Sequence, residues 1–113
     1  MAAATRIVEL SGAKVTAREL TVAEVRAWLI EAEAGTPVDP LRSLVFDDCS
    51  LDDLARMSDC TAAGMEMLTY GELLPLRDAC KALNPHFFRV RAALQKVARA
   101  IEAETASMIS TAR

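Results

Sequence analysis

Residue types that perform acid-base or nucleophilic chemistry are sparse in this chain. His86 is the single histidine, and it stands beside Pro85 without a glycine-flanked nucleophile nearby. A catalytic base needs a nucleophile or substrate proton within hydrogen-bonding reach. We therefore interpret His86 as a surface or helix-cap residue, and we expect no catalytic residues and no enzyme activity.

The three cysteines are predicted to be structural. Cys49, Cys60 and Cys80 are an odd number, spaced eleven and twenty positions apart. This spacing matches neither a disulfide framework nor a CxxC pair, and together with one histidine it does not fit a zinc site. We expect small buried hydrophobic residues in a reducing compartment, with no metal and no cofactor.

Two acidic pairs, Asp47-Asp48 and Asp52-Asp53, raise the question of a cation site. A calcium loop needs oxygen ligands at alternate positions and a central glycine, but Cys49 and Leu51 occupy the alternate positions after Asp47. Acidic residues at a helix start stabilise its positive end. We interpret these residues as helix-start residues.

The composition is that of one soluble domain. The chain has 113 residues, of which 52% are hydrophobic, a formal net charge of −3 and a pI near 5.1. Its amino terminus lacks a basic stretch followed by an apolar run, and its apolar runs are too short for a membrane helix. We expect a cytoplasmic protein, with residues 1–113 as one domain that binds neither membranes nor nucleic acid.

Residues 6–19 differ from the rest of the chain. Arg6 to Leu10 is rich in β-branched residues, Ser11-Gly12 is a turn signal, and Val15 lies among polar neighbours. This pattern predicts a β-hairpin. Two strands are marginally stable alone, so the hairpin must pack on helices or pair with another chain.

Repeated helix-start signals predict a helical body over residues 20–105. Three residue pairs have the spacing of a capping box: Thr21 with Glu24, Ser50 with Asp53, and Thr69 with Glu72. Two further starts combine a capping side chain with proline at the first helical position: Asp39-Pro40 and Asn84-Pro85. The predicted helices cover 21–34, 40–46, 51–58, 61–67, 70–83 and 85–105, with a frayed tail at 106–113. The fold class is mainly α, a small N-terminal β-hairpin followed by a compact bundle of five or six helices. Pro75 must either kink the helix 70–83 or mark where its regular part begins.

The last helix carries a heptad-like apolar stripe. Phe87, Val90, Leu94, Val97 and Ile101 are spaced three and four apart over two heptads. We favour a stripe that faces the protein's own core, with a subunit interface as the alternative. The strand edges and this stripe together predict a homo-oligomer, with Ile7, Val8, Val15, Val97 and Ile101 as interface residues.

A second apolar cluster, Met57, Met65, Met67 and Leu68, offers flexible side chains that suit a surface for varied apolar partners. Core filling is the simpler interpretation. We nevertheless name these residues, with Phe87 and Phe88, as candidate partner-binding residues.

Charge is distributed unevenly. Segment 39–59 has a net charge of −4, whereas segment 85–113 has a net charge of +3. The two segments could pair within one fold, or the basic one could contact nucleic acid. A small helical nucleic-acid-binding regulator is therefore an alternative function, as is a generic helical oligomeric adaptor.

The order of motifs resembles the tail assembly chaperones of long-tailed bacteriophages and prophages. The resemblance lies in the β-prone start Arg6-Ile-Val-Glu-Leu-Ser-Gly12, the run Val15-Thr-Ala-Arg-Glu-Leu-Thr-Val-Ala-Glu-Val-Arg26, and Leu73-Leu-Pro-Leu-Arg-Asp-Ala-Cys-Lys-Ala-Leu-Asn-Pro-His-Phe-Phe88. It is clearest over residues 7–30 and 69–88. The resemblance implies a small, mainly helical, non-enzymatic protein that keeps the hydrophobic tape measure protein soluble and helps tail tube subunits polymerise around it.

Overall fold

The computed structural model describes residues 4–35 and 39–111. Within them an antiparallel hairpin, β1 (Thr5–Leu10) and β2 (Ala13–Arg18), precedes six helices. These are α1 (Val22–Glu33), α2 (Pro40–Leu44), α3 (Leu51–Arg56), α4 (Ala62–Met65), α5 (Tyr70–Leu83) and α6 (Pro85–Thr111). The predicted fold class, a hairpin followed by a mainly helical body, is confirmed.

The hairpin is closed by the predicted two-residue turn. Ser11 and Gly12 have φ values of 51° and 83°, the left-handed pair that a tight type I′ connection requires. Residues 57–59 bond to the outer edge of β2, where the Arg18 amide donates to the Met57 carbonyl at 2.8 Å. The sheet also packs on α5. Packing on the helical body therefore supplies the support that two strands need.

The predicted helix starts are confirmed in detail. Complete capping boxes begin α1 at Thr21, α3 at Ser50 and α5 at Thr69, and the Asp39 side chain accepts from amides in the first turn of α2. In each box the side chain three residues later accepts from the cap residue's own amide, as Asp53 does for Ser50 at 2.9 Å. Asp53 thus replaces the usual Glu without loss of the motif.

The core lies between the hairpin, α3, α4, α5 and the first turns of α6. Its fully buried side chains include Phe87, Leu51, Leu54, Met57, Met65, Leu76, Cys49 and Cys80. Trp28 of α1 packs against its edge, with its ring 4.9 Å from that of Phe87 in an edge-to-face arrangement. The core therefore joins residues from both ends of the chain.

Helix α5 has the bounds that the sequence predicts, whereas α2, α3 and α4 each end two residues before the predicted ends at 46, 58 and 67. Helix α5 runs through Pro75 as one element from Tyr70. Helix α6 extends to Thr111, whereas we predicted an end at 105 and a frayed tail. Residues 106–111 contain neither glycine nor proline, so their sequence offers no strong helix terminator.

Asn84, predicted as the cap of α6, has a different role. Its side-chain oxygen accepts from the Leu20 amide at 2.7 Å, and its nitrogen donates to the carbonyls of Arg18 and Cys80, each at 3.0 Å. The helix still begins at Pro85. A long-range contact has thus taken the side chain that local sequence assigned to capping, and it fixes the hairpin exit against the α5–α6 junction.

Helix α6 projects beyond the body. Its 27 residues span about 40 Å at 1.5 Å per residue. The radius of gyration is 16.3 Å, against about 13 Å for a compact chain of this length, and the longest dimension is 59 Å. The first turns of α6 enter the core, and its later turns extend away from it.

Candidate functional site

A buried polar cluster joins three helices at the edge of the core. The Asp53 carboxylate accepts from the Trp28 indole nitrogen at 3.0 Å and from the Arg91 Nε at 2.8 Å, in addition to the Ser50 amide. Asp53 and Arg91 are both well shielded from water. One carboxylate therefore caps α3 and ties it to α1 and α6.

The sequence predicts Asp53 as a helix-start residue but does not predict its ion pair with Arg91. The sequence signal for this ion pair is the opposite net charge of segments 39–59 and 85–113. These two segments contact each other within the fold through the salt bridge between Asp53 and Arg91. Periodicity alone could not select this pair, because many acids and bases were possible partners.

Above this cluster lies a charged cleft of about 490 Å³ between α1, α2, α3 and the base of α6. Among its lining residues, Arg42 lies 3.5 Å from Asp52 and Arg56 pairs with Glu31, while Arg42 also binds Glu66, which does not line the cleft, at 2.7 Å. Within the described ranges, no group of three or more His, Cys, Asp or Glu side chains is arranged to hold a metal ion. The cleft's charged groups thus stabilise one another and join neighbouring helices.

The residues with potential nucleophilic or acid-base chemistry are dispersed. Cys49 and Cys80 are buried, as predicted, while Cys60 is half-buried. Burial raises the pKa of the Cys80 thiol to about 12 and raises that of Cys49 further. His86 is exposed in the first turn of α6. The buried thiols are therefore held protonated and act as core side chains.

The candidate partner-binding residues divide into two groups. Met57 and Met65 are 0% exposed, and Phe87 is almost as deeply buried, so these three are core residues rather than a surface for partners. Met57 and Met65 lie at the ends of the short helices α3 and α4, and Phe87 lies in the first turn of α6, where the core covers it. Phe88 is also a buried core residue, at 7% exposure, so of the six candidates only the exposed Met67 and the half-buried Leu68 remain at the surface.

One exposed apolar surface includes Met67. We call it the Met67 patch and define it by Leu41, Leu44, Met67 and Tyr70, each more than half exposed and Met67 at 85%. A salt bridge from Arg42 to Glu66 and a ring contact between Phe46 and Tyr70, with centroids 5.2 Å apart, place α2 beside residues 66–70. These contacts place α2 next to residues 66–70, so two neighbouring segments each expose large apolar side chains.

A shallow groove lies where α5 meets α6. It has a volume of about 590 Å³, an apolar floor of Pro85, Phe88 and Ala92, and a rim of Asp48, Lys81 and Arg89. The Lys81 ammonium lies 2.9 Å from Asp48 and 5.7 Å from the centre of the Phe88 ring. Burial opposes ionisation of Asp48, but Lys81 and Arg77 outweigh it and lower the pKa of this carboxyl. The Asp48 carboxylate is therefore ionised at neutral pH and can orient a side chain that enters the groove.

The predicted oligomer-interface residues also divide. Val15 is buried in the core and is unavailable for an interface, Val8 is half-buried, and Ile7 is exposed on the hairpin. Val97 and Ile101 are 55% and 58% exposed on the projecting part of α6. The apolar stripe of α6 thus faces the core at Phe87 and leaves it before Val97, contrary to our preference for a stripe that packs wholly inside.

Comparison with protein-family models, curated proteins and solved structures found no match to this chain. In the part of the chain that the structure describes, no helix is both long enough and apolar enough to cross a membrane.

Proposed function

We propose that this protein is a non-enzymatic tail assembly chaperone of the long-tailed phage type, acting in the bacterial cytoplasm. It binds apolar helical segments of the tape measure protein, keeps that protein soluble, and supports polymerisation of the tail tube protein around it. The observation that carries the proposal is the Met67 patch, which exposes several large apolar side chains on an otherwise acidic protein. Contiguous exposed apolar surface is typical of sites that bind other proteins.

The chemistry of the patch suits partners of varied sequence. Met67 is unbranched and flexible, Leu41 and Leu44 are aliphatic, and Tyr70 adds an aromatic face with a polar end. An amphipathic helix can place its apolar face on such a surface without a fixed pattern of hydrogen bonds. This is the form of recognition that a long, repetitive apolar helix requires.

The arrangement of the resembling segments is consistent with the proposal. Residues 7–30 form most of the hairpin and α1, residues 69–88 form α5 and the start of α6, and the hairpin packs directly on α5. Segments that are distant in sequence therefore form one structural unit. Tyr70 links this unit to the patch.

Co-expression with the tape measure protein tests the proposal. We expect its soluble fraction to rise several-fold with the wild-type chain and to fall when Leu44→Glu and Met67→Glu are combined, because both side chains are exposed and their replacement leaves the core intact. Val22→Glu is the matched control, since Val22 is an exposed apolar residue in the first turn of α1, where an acid is well tolerated.

This co-expression experiment separates failure of the chaperone function from failure of the Met67 patch as the binding surface. If the tape measure protein is equally soluble with and without the wild-type chain, the chaperone function is refuted. If the double variant and Val22→Glu both act as the wild type does, the function stands and the Met67 patch is the wrong surface.

A nucleic-acid-binding regulator is less well supported. It would use the basic residues of α6, but Arg91 is committed to the buried Asp53 and lies at the base of the charged cleft. Neutralised phosphates give such binding a steep salt dependence. We expect this chain to show no salt-dependent retention of duplex DNA.

A further inference from the structure

The groove between α5 and α6 continues into an exposed basic face on the last helix. Residues 85–101 contain four Lys or Arg side chains and no Asp or Glu. One of the four, Arg91, is paired with the buried Asp53. The other three are exposed and form no ion pair with an acid among the residues that the structure describes: Arg89, Lys96 and Arg99. This segment therefore carries three positive charges that the described part of the fold does not neutralise.

The three unpaired cations lie on the side of α6 that forms the groove. At 3.6 residues per turn, Arg89, Lys96 and Arg99 fall within about 80° of arc around the helix. Pro85 and Ala92, which line the groove, fall within the same arc. The groove and the basic charges therefore form one continuous surface, which we call the α6 basic face.

The charges at the groove rim are weighted in the same direction. The Lys81 ammonium lies 2.9 Å from the Asp48 carboxylate, so these two rim charges neutralise each other. Arg77 adds a second cation 3.3 Å from Asp48 and shares its charge with the exposed Asp78 at 2.9 Å. Arg89 is the remaining rim charge. The rim thus has a net positive charge above an apolar floor.

We propose that the α6 basic face binds an acidic amphipathic helix of another protein. That helix places one large apolar side chain in the groove and its carboxylates beside Arg89, Lys96 and Arg99. Charge complementarity selects an acidic partner, and the apolar floor selects the anchoring side chain. This inference is independent of the chaperone proposal, because it uses no residue of the Met67 patch.

The groove favours a polypeptide over a nucleic acid. Phe88, the aromatic residue of the floor, is 7% exposed, and the Lys81 ammonium lies 5.7 Å from the centre of its ring. Little ring surface is therefore available for stacking a base, which is how single strands are commonly held. The ionised Asp48 also repels a phosphate at this end of the face. An aliphatic side chain meets neither obstacle.

The spacing of the cations specifies the spacing of the partner's acids. Arg99 lies about 4.5 Å along α6 from Lys96, and Lys96 lies about 10.5 Å from Arg89. A helix antiparallel to α6 meets these levels with acids at its positions 1, 4 and about 8 and an apolar anchor at about position 11. All four positions share one side of that helix. Acids near its amino terminus also stabilise the partner helix itself.

A synthetic helical peptide tests this pattern directly. It carries Glu at positions 1, 4 and 8 and Leu at position 11 of an alanine-rich sequence, and fluorescence anisotropy measures its binding to the full-length chain. We expect saturable binding that weakens as the salt concentration rises from about 50 to 500 mM. Replacing the three Glu residues by Gln, or the Leu by Ala, should weaken binding by about fivefold or more.

A matched pair of double variants tests the cations. Lys96→Gln with Arg99→Gln should weaken peptide binding by about fivefold or more. Lys14→Gln with Arg26→Gln removes the same two charges from exposed positions on the hairpin and α1, so it should change binding by less than about twofold. A Lys96 and Arg99 variant that binds the peptide as the wild type does would overturn the proposal.

A second matched pair tests the groove. Ala92→Gln places a longer neutral side chain over the exposed part of the floor and should weaken peptide binding by about threefold or more. Ala98→Gln makes the same change at an exposed position about 140° around α6 and should leave binding unchanged. Circular dichroism checks that all variants remain folded. Equal binding by the Ala92 and Ala98 variants would refute the groove as the anchor site.

Three other outcomes would also overturn the proposal. The first is the absence of saturable binding by the Glu peptide at low salt. The second is a single-stranded oligonucleotide that displaces the peptide and binds the Ala92→Gln variant as well as the wild type, which would assign the face to a nucleic acid. The third is loss of peptide binding when Leu44→Glu and Met67→Glu are combined, because that variant alters only the Met67 patch and is expected to bind normally.

Discussion

Replacement of Asp53 by asparagine should strongly destabilise the fold, although it changes few atoms. The carboxylate accepts hydrogen bonds from Ser50, Trp28 and Arg91, and it neutralises an arginine whose side chain is 12% exposed. An asparagine retains one acceptor oxygen but brings an amide nitrogen toward these donors and leaves the Arg91 charge uncompensated.

The size of the effect follows from burial. Removing one partner of a buried ion pair costs roughly 3–5 kcal/mol. For a domain of this size each kcal/mol lowers the melting temperature by roughly 4 °C or more, so we expect a decrease of at least about 12 °C. The adjacent Asp52→Asn is the control, because the Asp52 side chain is half exposed and lies 3.5 Å from Arg42, and such a surface pair contributes about 1 kcal/mol at most.

Urea denaturation followed by tryptophan fluorescence measures both variants, since Trp28 is the single tryptophan and donates to Asp53. Combining Asp53→Asn with Arg91→Met should cost less than the sum of the single changes, because the second removes the stranded charge. If the losses in unfolding free energy caused by Asp53→Asn and Asp52→Asn differ by less than about 0.5 kcal/mol, the buried ion pair does not stabilise the fold.

Three further predictions address other parts of the structure. Asn84→Ala should reduce the free energy of unfolding, measured in urea, by roughly 2–4 kcal/mol, because three hydrogen bonds are lost and the Leu20 amide is left unpaired. A reduction below about 1 kcal/mol would contradict this prediction. Native protein should react with a thiol reagent first at Cys60, whereas Cys49 and Cys80 should react only as the chain unfolds, and Cys60→Ser should abolish the native-state phase. Hydrogen bonds from Arg18 hold the pKa of Glu24 at about 2 instead of 4.5, so this group stabilises the fold above pH 4.5 and its contribution is lost as the pH falls toward 2. Acid unfolding of Glu24→Gln should therefore show a shallower dependence on pH in that window than the wild type.

Local sequence signals predicted the elements well because their determinants are local. The Ser11-Gly12 turn and the boxes at Thr21, Ser50 and Thr69 each involve residues within a few positions of one another. The hydrogen bonds that make these motifs form wherever the sequence places the partners. They therefore identify element starts without knowledge of the tertiary fold.

Long-range contacts limited the prediction of the sites. Asn84 has the sequence signature of a cap, yet its oxygen bonds Leu20, 64 residues away. Met65 and Met67 are two positions apart, but one is fully buried and the other is the most exposed large apolar residue described. Such differences depend on which side of a short helix the rest of the chain covers, and no periodicity extends over enough residues to show it.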